Sequence, residues 1–186
     1  GQDFGIMKFI YNDKWEYRDS FRNFPDAVGF INCFLANDSN LYIGTNYGIY
    51  LGNLTENLKD PNRWQVIDNS MDFEVTSATF HDSLIAFSSK TSFYELSILS
   101  GNWESINFSY SFSNISEIFV SENIYWIIDE KKLYRKSIEG DVLLENQYYL
   151  SSMASFNNQI IVGVLNGLLF IENLDNGDEI VTRFLP

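Results

Sequence analysis

The chain has 186 residues, 45% of them hydrophobic and 17% aromatic, enough apolar material for a buried core of strands. A net charge of -13 excludes a nucleic-acid partner, because phosphate backbones are held mainly by Lys and Arg. Cys33 is the only cysteine, so neither an internal disulfide nor a thiolate metal cluster can form.

Apolar runs are strand-sized throughout, and none approaches the roughly 20 residues that span a bilayer, so no membrane insertion is expected in this segment. From the N-terminus, Gly5 to Tyr11 and Trp15 onward form two strands around the turn Asn12-Asp13-Lys14. The loop Asp19 to Asp26 leads to Ile31 to Leu35 and the turn Asn37 to Asn40. Next comes the clearest hairpin, Leu41 to Gly44 against Gly48 to Leu51, where Asn46 and the following glycine suit the positive φ of a tight turn. After the polar loop Asn53 to Arg63, Trp64 to Ile67 supplies a fourth strand.

The same order of signals returns three times. The strands are Val75 to Phe80, Leu84 to Ser88, Phe93 to Leu99 and Trp103 to Phe108; then Ile115 to Val120, Ile124 to Ile128, Leu133 to Ile138 and Val142 to Leu144; then Met153 to Phe156, Ile160 to Val164, Leu168 to Ile171 and Ile180 to Phe184. Second strands start at Leu41, Leu84, Ile124 and Ile160, at intervals of 43, 40 and 36 residues. Four short strands per period near 40 predict β-propeller blades. Leu41-Tyr42-Ile43, Tyr125 to Ile128 and Ile160-Ile161-Val162 are apolar at every position, so both faces of these strands should be covered. The expected fold is all-β: a propeller segment of about four four-stranded antiparallel blades at 27–68, 74–108, 114–145 and 150–184, after a half-blade at 1–22. The opening half-blade and the closing Phe184-Leu185-Pro186 read as cuts through a longer array, to be completed by remaining blades of a parent chain or by another copy.

Phe24-Pro25-Asp26-Ala27-Val28, the strand after it, and Asn40 to Leu51 resemble the two-component regulator propeller repeat, with its Leu-(Trp/Tyr)-Ile-Gly-Thr segment and following Gly-(Leu/Ile)-Tyr strand. Ile160 to Leu168 matches in part, and the blades at Leu84 and Ile124 lack the Gly-Thr. The resemblance implies a bacterial extracytoplasmic propeller, periplasmic or extracellular, often the sensory part of a signalling or surface protein.

No catalytic constellation is evident. His81, the only histidine, falls in a turn and reads as solvated, which leaves no His pair for acid–base chemistry or metal binding. Asp175 to Glu179 offers oxygen ligands but not the spacing of a calcium loop. No cofactor or metal is expected. The candidate ligand-binding residues are aromatics in loops between blades, Phe21, Phe24, Tyr110, Phe112, Tyr148 and Tyr149, with Tyr47 in a hairpin turn. In propellers these two loop classes open on one end, where rings suit a glycan or polypeptide ligand; the same rings also serve to plug blade junctions. The expected role is a non-enzymatic binding or sensing module. The alternatives are a polysaccharide hydrolase or lyase with part of its site in other blades, and a structural spacer.

Overall fold

A computed structural model describes residues 5–25, 28–68, 72–121, 123–137, 140–145, 148–156, 159–165, 167–172 and 180–184. The chain divides into two compact units, Gly1–Thr76 and Ser77–Pro186. Every sheet is antiparallel and joined in simple up-and-down order.

The first unit holds a two-stranded half-blade, β1 (Ile6–Asn12) and β2 (Lys14–Phe21), and blade 1, made of β3 (Ile31–Ala36), β4 (Asn40–Thr45), β5 (Gly48–Asn53) and β6 (Trp64–Val66). Phe21 and, in part, Ile6 pack against Val28, Leu41, Ile43 and Tyr50. The opposite face of the half-blade, with Met7, Phe9, Tyr11, Trp15 and Tyr17, is exposed, Trp15 by 73%. In the loop before β6, a single 3-10 turn at Pro61–Arg63 is capped by Asp60, whose carboxylate accepts the Asn62 N–H.

The second unit holds three blades. Blade 2 is β7 (Ser77–His81), β8 (Leu84–Ser88), β9 (Phe93–Ser97) and β10 (Trp103–Ile106). Blade 3 is β11 (Ile115–Ser121), β12 (Ile124–Asp129), β13 (Lys132–Ser137) and β14 (Gly140–Glu145). Blade 4 is β15 (Leu150–Phe156), β16 (Gln159–Val164), β17 (Gly167–Glu172) and β18 (Ile180–Phe184). Ala86 and Phe93 of blade 2 meet Ile118, Ile127 and Tyr134 of blade 3. On the other face of blade 3, Trp126, Ile128 and Leu133 meet Met153, Ile160, Val162 and Leu169 of blade 4. At ~1.5 to 3 kcal/mol per fully buried large apolar side chain, these junctions hold the stack together.

Second strands carry most of that burial. Leu41 to Thr45, Ile85 to Ser88 and Trp126 to Asp129 are buried without interruption, as strands covered on both faces must be. β16 departs from this expectation: Ile160, Val162 and Val164 are buried but Ile161 and Gly163 are half-buried, so one of its faces is only partly covered.

In the second unit a hydrogen bond ties the second-to-third strand turns of blades 2 and 3 to the start of the following blade. The Lys90 carbonyl accepts the Ile115 N–H (2.7 Å) and the Glu130 carbonyl the Leu150 N–H (2.8 Å); within the first unit the Thr45 carbonyl likewise accepts the Val75 N–H (2.8 Å). First strands bulge just after that anchoring apolar residue, between Ile115 and Glu117 and between Leu150 and Ser152, as β3 does between Ile31 and Cys33.

The Gly-Thr of blade 1 has a physical reason. A Cβ on Gly44 would lie 2.4 Å from Cys33 Sγ and 2.8 Å from Val75 Cγ1, so only glycine fits there. Thr45, fully buried, accepts the Tyr47 N–H on its hydroxyl and donates to the Gly48 carbonyl, both at 3.0 Å, which closes the turn from within. Positive φ in this turn falls on Gly48 (89°) and not on Asn46; among described non-glycine residues it falls on Asp13, Asp82, Asn123 and Glu130.

Candidate functional site

Two polar loops of the second unit enclose a crevice of about 220 Å³. The first is the β8–β9 turn, where Ser89 N–H donates to the Ser92 carbonyl (2.9 Å) and Ser92 N–H to the Ser89 hydroxyl (3.2 Å). The second is the connection between blades 2 and 3, residues 107–114. Blade 3 fastens it at three points. Asp141 accepts both the Ser109 N–H (3.1 Å) and the Ser109 hydroxyl (2.6 Å). Lys136 Nζ donates to the Asn107 carbonyl (2.9 Å) and lies 4.9 Å over the Phe108 ring. Asp129, buried at the end of β12, accepts Ser113 N–H (2.8 Å), Ser113 Oγ–H (2.9 Å) and Asn114 N–H (2.7 Å). Burial acts to raise the Asp141 pKa, but the Ser109 hydrogen bonds and the Lys136 charge outweigh it and hold the carboxyl below its usual range.

Thr91, Ser92, Ser105, Asn107 and Ser111 give the crevice hydroxyl and amide groups, and Phe93, Ile106, Phe108, Tyr110 and Phe112 give it apolar walls. No carboxylate, histidine or basic side chain lines it. The rings form a continuous edge-to-face chain: Phe93 to Phe108 at 5.4 Å between centroids, Phe108 to Phe112 at 5.2 Å and Phe112 to Tyr134 at 4.8 Å. Tyr110 tilts onto Tyr134 at 5.0 Å. At ~0.5 to 1.5 kcal/mol per pair beyond area burial, this chain rigidifies the wall before any ligand arrives. Tyr110 and Phe112 therefore both plug the junction and border the crevice.

The other predicted residues are dispersed. In the first unit, Phe21 ends β2 as part of the buried core, not in a loop, and Phe24 packs on Trp64 with ring centroids 5.0 Å apart. Tyr47 is 51% exposed, its ring resting beside Gly29, whose φ of 62° and missing Cβ permit the approach. In the second unit, Tyr148 packs against the junction of blades 3 and 4. Tyr149 is exposed, with Lys131 Nζ 5.0 Å from its ring centre.

Among the described residues no group of three or more His, Cys, Asp or Glu side chains is placed to hold a metal; Asp175 to Glu179 lies outside them. Burial pushes the Cys33 thiol up to about 12, which leaves it protonated and unreactive.

His81 is not the solvated turn residue that its neighbours suggested. It ends β7 with only 15% of its side chain exposed, between two blades. Its Nδ1 is 3.2 Å from Glu95 Oε1 and 3.1 Å from the Tyr125 hydroxyl; its Nε2 is 2.9 Å from Asn123 Oδ1. The Tyr125 hydroxyl in turn makes a short hydrogen bond to Glu95 Oε1. Glu95, Asn123 and Tyr125 lie 14, 42 and 44 residues from His81, a separation that single-strand patterning does not bridge.

No protein-family model matches the chain, and no curated protein matches it. Solved structures do. The extracellular domain of BT4673 from B. thetaiotaomicron, described once as a one component and once as a hybrid two component system, superposes with a TM-score of 0.72 in both structures. Identity is 14% and 13%, and the match covers 98% of this chain but 26% and 28% of that one. PorZ, a bacterial surface component of the type-IX secretion system of Porphyromonas gingivalis, matches at a TM-score of 0.66 and 16% identity over 91% of this chain and 22% of its own. The chain thus spans about a quarter of these proteins' length. Blade topology, junctions and superpositions together define a β-propeller fold. No helix among the described residues is long and apolar enough to cross a membrane.

Proposed function

We propose that this chain is a non-enzymatic ligand-binding module of an extracytoplasmic bacterial propeller, with a sensory role, and that a neutral glycan occupies the crevice between the β8–β9 turn and residues 107–114. The carrying observation is the lining: hydroxyl and amide groups beside aromatic walls, with no acid, base or cation among them. Glycoside cleavage uses a pair of carboxylates flanking the bond, and this mouth presents none. A polyhydroxylated ring finds hydrogen-bond partners there without meeting an ion that must be desolvated. Three blade-3 anchors, Asp129, Lys136 and Asp141, hold the loop in place beforehand, which lowers the ordering cost of binding. The extracellular and surface neighbours support the extracytoplasmic placement. The uncovered aromatic face of β1–β2 supports completion by remaining blades of a parent chain or by another copy.

Isothermal titration of the chain with a panel of neutral oligosaccharides, acidic oligosaccharides and peptides tests the reading. A neutral oligosaccharide should bind, and Ser111→Arg, which fills the mouth from an exposed position, should abolish the heat. Binding that survives Ser111→Arg, or a preference for acidic sugars or peptides, contradicts it.

A further inference from the structure

We propose that His81, carrying a proton on both ring nitrogens, clamps blade 2 to blade 3, and that the clamp releases as the ring loses a proton, loosening this junction as pH rises. His81 and Glu95 belong to blade 2, Asn123 and Tyr125 to blade 3, so the four side chains form a polar bridge across the seam between the blades. Both nitrogens face oxygen. Nε2 meets the Asn123 carbonyl oxygen, and Nδ1 meets Glu95 Oε1 and a phenol oxygen whose proton is directed at Glu95. A doubly protonated ring donates on both sides. A neutral ring sets one nitrogen lone pair against an oxygen lone pair unless the Asn123 amide turns over or Tyr125 gives up Glu95.

Solvent offers little relief, since the His81 and Glu95 side chains are only 15% and 12% exposed. Among the described residues the ionisable groups that face the ring are Glu95 from β9, Asp82 from the β7–β8 turn and Tyr125 from β12. Lys136, paired with Tyr125 across β12 and β13, is committed to the Asn107 carbonyl and Asp141. Burial acts to lower the His81 pKa, but the hydrogen bonds to Asn123 and Glu95 and the charges of Glu95 and Asp82 outweigh it and raise it above the usual 6.5. A raised histidine stabilises the folded junction fully below about 6.5, and the contribution is lost as pH climbs through the folded value. Tyr125 also meets Phe93 edge-to-face at 5.3 Å, so the clamped junction is the one that walls the crevice. The clamp does not depend on what the crevice binds.

Because His81 is the only histidine, its Cε1–H resonance can be followed by NMR in the whole chain without assignment. The wild-type midpoint should lie above 6.5 and fall in Glu95→Gln. The Ile118 amide, which crosses the junction to Ser77 Oγ (3.1 Å), reports on loosening. Its exchange protection, corrected for the intrinsic pH dependence of exchange, should drop as pH passes that midpoint and stay level in His81→Gln. A midpoint at or below 6.5, or Ile118 protection that ignores the titration, overturns the proposal. Should Glu95→Gln not fold, these two wild-type readings decide alone.

Discussion

Replacing Asp129 with alanine strips one buried carboxylate from three donors at once: Ser113 N–H, Ser113 Oγ–H and Asn114 N–H, all within 2.9 Å. Hydrogen bonds to a charged acceptor are worth ~1.5 to 3 kcal/mol each. Ser113 and Asn114 are exposed residues, so water replaces part of what is lost, and removing one negative charge from a chain of net -13 relieves some repulsion. The expected net loss is about 2 to 4 kcal/mol, near the value of one to two such bonds. Asp129→Asn keeps one acceptor oxygen and should lose about half as much. Urea unfolding followed by tryptophan fluorescence measures both, and amide exchange at Ser113 and Asn114 places the effect. A loss below about 0.5 kcal/mol for Asp129→Ala, or equal losses for the two variants, would refute the pinning of the connection.

Other outcomes follow from the same geometry. Gly44→Ala drives a methyl into Cys33 Sγ and Val75 and should cost ~1 to 3 kcal/mol, part of it recovered by adding Cys33→Ala; urea unfolding of the single and double variants reads the coupling. Because the Asp141 pKa is depressed, its hold on Ser109 is complete above about 3.8 and is lost as pH falls below that; acid titration of Ser109 amide exchange should show release there, and Asp141→Asn should remove the pH dependence. Trp15→Ser, on the uncovered face of β1–β2, should change stability by less than ~0.5 kcal/mol in this chain and reduce its tendency to associate in light scattering.

The blades were readable because their signals are local. Thr45 and Gly48 set the turn of blade 1 from within a few residues of each other, and continuous apolar runs such as Trp126 to Ile128 announce burial on both faces. The crevice was half readable: Tyr110 and Phe112 stand out as rings in a loop, but Thr91, Ser92 and Ser105 come from another turn and another strand. The His81 bridge was not readable, since its partners come from β9, β12 and the β11–β12 turn, and turn composition pointed to solvent instead. Three first strands have an apolar residue followed by a short polar one, Ile31-Asn32, Ile115-Ser116 and Leu150-Ser151, and the last two of these apolar residues are those hooked by the preceding blade's turn.

Amide chemical shifts of the isotope-labelled chain, recorded while a neutral oligosaccharide is added, report most directly on whether the crevice is a ligand site. Saturable shifts confined to Ser92, Ser105, Asn107 and Ser111, absent with peptides of similar size, are the predicted result. Saturable shifts that cluster elsewhere, or no response in these four amides to any neutral sugar, would contradict it.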